Sequence, residues 1–125
     1  MRDIKFRGWK PKERIMLGPE NGYYITQHGS NDGFELLQFT GLIDFKKQEV
    51  YEGDIVKLIP RKKAYQPEYD KLVVGWNNTF SRFDLWYAVK GKLEWPAISI
   101  SELLGPPQLW RIKVIGNIYQ NPELI

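Results

Sequence analysis

Leu72-Val73-Val74-Gly75-Trp76 is followed by the polar residues Asn77-Asn78-Thr79 and then by Phe83-Asp84-Leu85-Trp86-Tyr87-Ala88-Val89. Both apolar runs are rich in the β-branched and aromatic residues that suit a pleated, half-buried surface. The asparagines between them favour a turn. This stretch is the strongest β signal in the chain, and it predicts two strands joined by a short connection.

Further strands are predicted on both sides of this stretch. Ile55-Val56-Lys57-Leu58-Ile59 is apolar on both faces apart from Lys57, which is typical of a strand inside a sheet. Residues 4–9 and 110–115 alternate apolar with basic side chains, the period of a half-buried strand. The alternation places the basic groups of each strand on an outer, solvated face.

The first half of the chain is rich in turn formers. Ile15–Leu17 is predicted to return beside the first strand, and a strand over Leu36–Thr40 is predicted to end in a turn at residues 41–44. Residues 18–34 hold many glycines and asparagines, interrupted only by the β-prone run 23–26. They are predicted to form a mobile loop or a loose hairpin.

One short helix is predicted near the end of the chain. Ser99 or Ser101 would cap a turn through Glu102, and Gly105 followed by two prolines would end it. Six or seven short strands with glycine-rich turns predict a mainly β fold, a small SH3-like or partly open β-barrel elaborated by an inserted loop. The length of 125 residues predicts a single domain over residues 1–125.

Composition narrows the classes of function. The chain has no cysteine and one histidine, so it offers no disulfide framework, no thiol nucleophile and no cysteine-ligated zinc site. No secretory segment or apolar run of membrane-spanning length is present, so we expect a cytoplasmic protein that does not contact the membrane. The net charge of +3 is too small to imply a polyanionic partner by itself.

Four segments of the chain carry a family resemblance. They are Met1-Arg2-Asp3-Ile4-Lys5-Phe6-Arg7-Gly8-Trp9, Gln38-Phe39-Thr40-Gly41-Leu42-Ile43-Asp44, Glu49-Val50-Tyr51-Glu52-Gly53-Asp54-Ile55-Val56 and Val114-Ile115-Gly116-Asn117-Ile118-Tyr119-Gln120-Asn121-Pro122-Glu123-Leu124. In this order and with consistent gaps they resemble the YopX family, whose members are small proteins encoded by bacteriophages and prophages. The resemblance implies a β-rich fold and a phage setting in the cytoplasm of a bacterial host. Because the family has no established biochemical activity, the resemblance implies no catalytic or binding residue.

The third of these segments also has a physical interpretation. Tyr51-Glu52-Gly53-Asp54 resembles the start of a strand in SH3-like barrels. Glycine there permits a backbone conformation that other residues avoid, and aspartate can accept hydrogen bonds from nearby backbone N–H groups. The spacing is therefore explained by structure without invoking chemistry.

Candidate catalytic groups are few. Glu52 and Asp54 are two residues apart and could share a strand face, but we interpret Asp54 as a turn cap and Glu52 as exposed. Asp44 and Glu49 are interpreted as solubilising loop residues, and His28 as a solvated loop residue without a charged partner. We therefore expect no enzyme, no cofactor and no metal site.

Two kinds of binding surface are considered instead. A basic surface interleaved with aromatic rings would suit single-stranded nucleic acid, although each basic group is also consistent with an ordinary solvated strand face. The candidate cations are Lys5, Arg7, Arg61, Lys62, Lys63, Arg111 and Lys113.

The second surface is aromatic. Phe83, Trp86 and Tyr87 lie on both faces of one predicted strand, which is more than one buried face can use. The leading hypothesis is a non-enzymatic protein that binds a host or phage protein through such a surface and forms a homo-oligomer. Nucleic-acid binding is the alternative.

Overall fold

The computed structural model describes residues 3–21, 33–62, 68–90, 92–106 and 108–125. His28, Lys63 and most of the loop predicted over residues 18–34 lie outside the described residues. Of that loop, Pro19–Asn21 forms one turn of 3-10 helix.

The first sheet has four antiparallel strands. They are β1 (Phe6–Lys10), β2 (Ile15–Leu17), β3 (Glu35–Ile43) and β4 (Glu49–Tyr51), in the order β2-β1-β3-β4. Gly8 of β1 lies opposite Leu17 of β2, so the predicted return strand is confirmed.

The second sheet has five antiparallel strands. They are β5 (Asp54–Pro60), β6 (Tyr69–Asn77), β7 (Arg82–Val89), β8 (Lys92–Ser99) and β9 (Trp110–Asn117), in the order β8-β7-β6-β5-β9. The position of β5 between β6 and β9 confirms the strand predicted inside the sheet. Its residues Ile55, Val56 and Leu58 have no exposed surface.

The architecture confirms the predicted fold class. The structure is mainly β with one short α-helix, and the larger sheet is curled into a half-barrel. Helix α1 (Ile100–Leu104) begins at Ser99, whose hydroxyl accepts the Glu102 N–H in a capping box. Among the described residues, no helix has the length and apolar character needed to cross a membrane.

The predicted set of strands and one predicted turn differ from the structure. The described residues form nine strands where six or seven were predicted, because β4 and β8 have no counterpart among the predicted strands. Strand β8 includes Pro96, and it lies at the edge of the sheet, where proline is tolerated. The turn predicted at residues 41–44 is wrong, because β3 continues to Ile43. Gly41 has a φ of 88° at a register shift between β3 and β4, so it forms a bulge inside the strand.

The core lies between the concave face of the second sheet and the elements that cover it. Leu42 and Val50 come from the first sheet and Leu103 from α1. They pack on Val56, Leu58, Leu72, Val74, Leu85, Ile98 and Ile112 of the second sheet. The two sheets and the helix therefore share one apolar cluster.

Asp44 closes the free edge of the second sheet. Its Oδ1 accepts the N–H groups of Lys46 (2.9 Å) and Gln48 (2.8 Å), and its Oδ2 accepts the N–H of Val114 in β9 (3.0 Å). The Phe45 N–H adds a bond to the Ile112 carbonyl oxygen at 3.1 Å. The interpretation of Asp44 as a solubilising loop residue is therefore wrong: the side chain is 3% exposed, and it fastens the β3–β4 turn to β9.

We expect Asp44→Ala to lower the free energy of unfolding by about 2–4 kcal/mol, because three backbone donors lose a buried acceptor. Asp44→Asn retains one acceptor oxygen and should cost less. Urea unfolding of the two variants measures the difference. Equal stability of Asp44→Ala and the wild type would show that this edge closure does not support the fold.

Candidate binding surfaces

An ion pair between Arg7 and Asp54 joins the two sheets. Arg7 lies on β1 and Asp54 at the start of β5, and their side chains are 16% and 1% exposed. The guanidinium group also lies over the Tyr51 ring, 4.6 Å from its centroid. Arg7 therefore does not lie on a solvated outer face, and we withdraw it as a candidate phosphate ligand.

A second ion pair occupies Lys5. Its ammonium group contacts the Glu49 carboxylate and lies 5.1 Å from the centroid of the Phe39 ring. The hydrogen bond from Lys5 lowers the pKa of Glu49 below its ordinary value, and the Tyr51 hydroxyl donates to the same carboxylate at 3.0 Å. Glu49 is thus half-buried between two donors, contrary to its interpretation as a solubilising residue, and Lys5 is not a free cation.

The turn from Tyr51 to Asp54 has the two predicted features, a glycine with positive φ and an aspartate that accepts a backbone N–H. Gly53 has a φ of 86°, the left-handed region that favours glycine, and Asp54 Oδ2 accepts the Tyr51 N–H at 2.8 Å. The Gly53 N–H donates to the Val74 carbonyl oxygen at 2.8 Å, and the Gly53 carbonyl oxygen accepts the Ile118 N–H at 2.9 Å. This turn therefore connects β4, β5, β6 and the end of β9.

Glu52 and Asp54 do not form an exposed carboxylate pair. Asp54 is buried against Arg7, whereas Glu52 is half-buried and was expected to be exposed. The Glu52 N–H donates to the Gln38 carbonyl oxygen at 2.9 Å, which holds the residue beside β3. Burial raises the pKa of Glu52 above its ordinary value. Both carboxylates make contacts within the protein that explain their positions.

Tyr119 completes this junction. Its ring packs 5.9 Å from the Trp9 ring, and a Cβ atom placed on Gly53 would approach it to 2.7 Å. Burial raises the pKa of the Tyr119 phenol. The segments around Trp9, Gly53 and Tyr119 are far apart in the sequence, and each belongs to a different segment of the family resemblance. The structure brings these segments together at the boundary of the two sheets.

The remaining candidate cations divide by position. Arg61 and Lys62 are exposed directly after β5, and Arg111 is exposed on β9. Lys113 is half-buried and lies opposite Lys57 in the β5–β9 ladder. Residues two apart on a strand share a face, so Lys57, Arg111 and Lys113 project from the same side of the sheet. Lys57 is paired with Glu68 at 3.2 Å.

Sequence reasoning missed two cations at this edge. Lys46 and Lys47 are exposed in the turn that Asp44 fastens to β9. In the sequence, Lys46 and Lys47 are adjacent and lie between two predicted strands, which indicates an exposed basic turn. Their position beside Arg111 and Lys113 depends on a contact 70 residues apart in sequence, which no local pattern reveals.

The three aromatic candidates have different surroundings. Phe83 packs edge-on against Trp76 with ring centroids 5.0 Å apart, and it contacts the core. Trp86 is half-buried, and its indole N–H donates to the Gly75 carbonyl oxygen at 3.0 Å. Tyr87 follows Trp86 on β7, projects to the face opposite to that of Trp86, and is 36% exposed. Only Tyr87 of the three belongs to an exposed surface.

Tyr87 is the centre of an aromatic row that crosses the second sheet. Its ring centroid lies 6.3 Å from that of Tyr69 and 5.7 Å from that of Trp95. Tyr69 packs against the core, whereas Trp95 on the edge strand β8 is 56% exposed. The row therefore starts at the core and ends at the solvent.

A known protein family matches most of the chain. The sequence profile described as YopX protein matches residues 19–125. The chain belongs to the YopX family. Membership of this family suggests a small accessory protein.

A solved structure has the same fold. The crystal structure of protein EF1440 from Enterococcus faecalis is similar to this one, with a TM-score of 0.61 and 22% sequence identity over 99% of each chain. At this identity the likeness shows a shared fold. No curated protein matches the chain.

We expect Gly53→Ala to destabilise this YopX protein more than Gly41→Ala does. Both glycines have positive φ, which costs an alanine about 1–2 kcal/mol. Only the Gly53 methyl group would also meet a ring, since no heavy atom lies within 4 Å of a Cβ at Gly41. Chemical denaturation of both variants isolates the clash with Tyr119. Equal losses of unfolding free energy in the two variants would show that Tyr119 moves aside for the added methyl group at little energetic cost.

Proposed function

We propose that this YopX-family protein is a non-enzymatic accessory protein of a bacteriophage or prophage, acting in the host cytoplasm by binding a host or phage protein. The resemblance to the YopX family supports the proposed phage setting. The observation that carries the binding proposal is the aromatic row of Tyr69, Tyr87 and Trp95, which ends exposed on an edge strand.

Large rings on a surface are favourable anchors for protein partners. A tryptophan or tyrosine presents much apolar area with few rotatable bonds, so it loses little conformational entropy on binding. Tyr87 is supported from one side by Tyr69, and Trp95 lies directly opposite Tyr87 in the β7–β8 ladder. Val89, two residues after Tyr87 on β7, is 50% exposed and extends the apolar surface.

The non-enzymatic part of the proposal rests on the contacts of the carboxylates. One oxygen of Asp54 is paired with Arg7 and the other accepts the Tyr51 backbone N–H, so both are engaged in contacts within the fold. Glu52 is held beside β3 through its own backbone. These contacts explain both residues without a catalytic role.

The test compares two exposed rings of similar exposure. Trp95 is 56% exposed within the row, and Phe80 is 62% exposed in the β6–β7 turn, outside it. Partners retained from host lysate by the immobilised protein would be identified by mass spectrometry, purified and titrated against each variant. We expect Trp95→Ala to weaken binding at least about tenfold, because anchoring aromatics often contribute 2 kcal/mol or more.

Phe80→Ala is the matched control and should keep the wild-type affinity. Thermal unfolding of both variants checks that each remains folded. Equal affinity of Trp95→Ala and the wild type for every retained protein would contradict the proposed surface.

A further inference from the structure

We infer that the edge of the second sheet around β9 is a separate binding surface for single-stranded nucleic acid. Lys46, Lys47, Arg61, Arg111 and Lys113 would contact its phosphates, and the Phe45 ring would stack on a base. Trp110 in the cleft at this edge packs edge-on against Tyr69 of the aromatic row, with ring centroids 5.9 Å apart, so the two surfaces adjoin. The five cations and Phe45 do not belong to the row, and each proposal is tested by its own variants.

Backbone contacts bring three distant segments to this edge. The β3–β4 turn, with Lys46 and Lys47, is fastened to β9 by Asp44 and by the Phe45 N–H. The Arg61 N–H donates to the Leu109 carbonyl oxygen at 2.9 Å, which continues the β5–β9 ladder beyond the end of β5. These hydrogen bonds therefore place the cations along one edge, although the chain supplies them from three places.

The edge carries little compensating negative charge. Asp44 is buried, and both of its oxygens accept backbone N–H groups. Glu68 pairs with Lys57, which we therefore leave out of the surface. Within the described part of the chain, no carboxylate lies within ion-pairing distance of Arg111 or Lys113, in contrast to the paired Arg7 and Lys5. A concentration of unpaired cations favours a polyanion even though the net charge of the chain is small.

Aromatic groups at this edge favour a single strand over a duplex. A cleft of about 160 Å³ is lined by Arg61, Arg111, Phe45 and Trp110 together with apolar residues of β3 and α1. Phe45 is 40% exposed, and the Lys46 ammonium group lies 5.2 Å from the centroid of its ring. The face of a base is free to stack on such a ring only when the base is unpaired, while neighbouring cations hold the backbone.

The binding test uses fluorescence anisotropy of a labelled oligothymidylate of about 20 nucleotides, longer than a typical single-domain site. Titrations of the full chain at about 50 and 200 mM salt give the affinity and its salt dependence. The variant Arg111→Ala/Lys113→Ala removes two cations from β9. The control Lys12→Ala/Lys92→Ala removes two exposed cations from the β1–β2 turn and from β8, so the change in net charge is the same.

We expect the β9 variant to bind at least about tenfold more weakly and to lower the slope of log affinity against log salt by about 1.4, since each contact to a single strand contributes about 0.7. The control should keep the wild-type affinity. Phe45→Ala should weaken binding at least about fivefold and leave the salt slope unchanged, because stacking contributes about 1–3 kcal/mol per base. Thermal unfolding shows whether each variant is folded.

Several results would overturn the inference. No binding at low salt would do so directly. Equal weakening by the β9 variant and the control would show that only net charge matters. Binding of poly-glutamate or duplex DNA as tight as that of the single strand would exclude a surface built for single-stranded nucleic acid.

Discussion

The ion pair between Arg7 and Asp54 is the interaction on which this architecture depends. It joins the first sheet to the second at a buried position, where a charge left without its partner is costly. Asp54 also holds the turn through the Tyr51 N–H, and Gly53 in the same turn bonds to β6 and to the end of β9. The turn from Tyr51 to Asp54 therefore holds the two sheets together, and the apolar core lies between them.

This constraint gives the family segments a structural meaning. Arg7, Gly53 and Tyr119 come from three of the segments that resemble the YopX family, and they meet at one junction. Their residue types follow from the junction: a cation for the buried carboxylate, a glycine for a positive φ beside a ring, and an aromatic ring to cover the glycine. The surfaces proposed for binding lie elsewhere, on β8 and around β9.

Local patterns predicted much of the fold. The interior position of β5 follows from its apolar character. The short helix was predicted with Ser99 or Ser101 as its cap, and the structure shows that Ser99 is the cap. Local patterns gave wrong predictions of side-chain exposure where a contact with a residue distant in sequence buries the side chain. The alternation of β1 predicts a solvated Arg7, but in the structure Arg7 is covered by the second sheet. Asp44 has the sequence context of a loop residue, and only its contact with β9 shows that it is buried. For the same reason, the sequence could not place Lys46 beside Arg111.

The central claim is that Arg7 and Asp54 stabilise the fold as a pair. A double-mutant cycle with Arg7→Met and Asp54→Asn, followed by urea unfolding, tests it directly. The account predicts that each single variant loses about 3–5 kcal/mol, and that the double variant loses about 2 kcal/mol less than the sum, since each single change leaves one buried group without its partner. Strictly additive losses would contradict it.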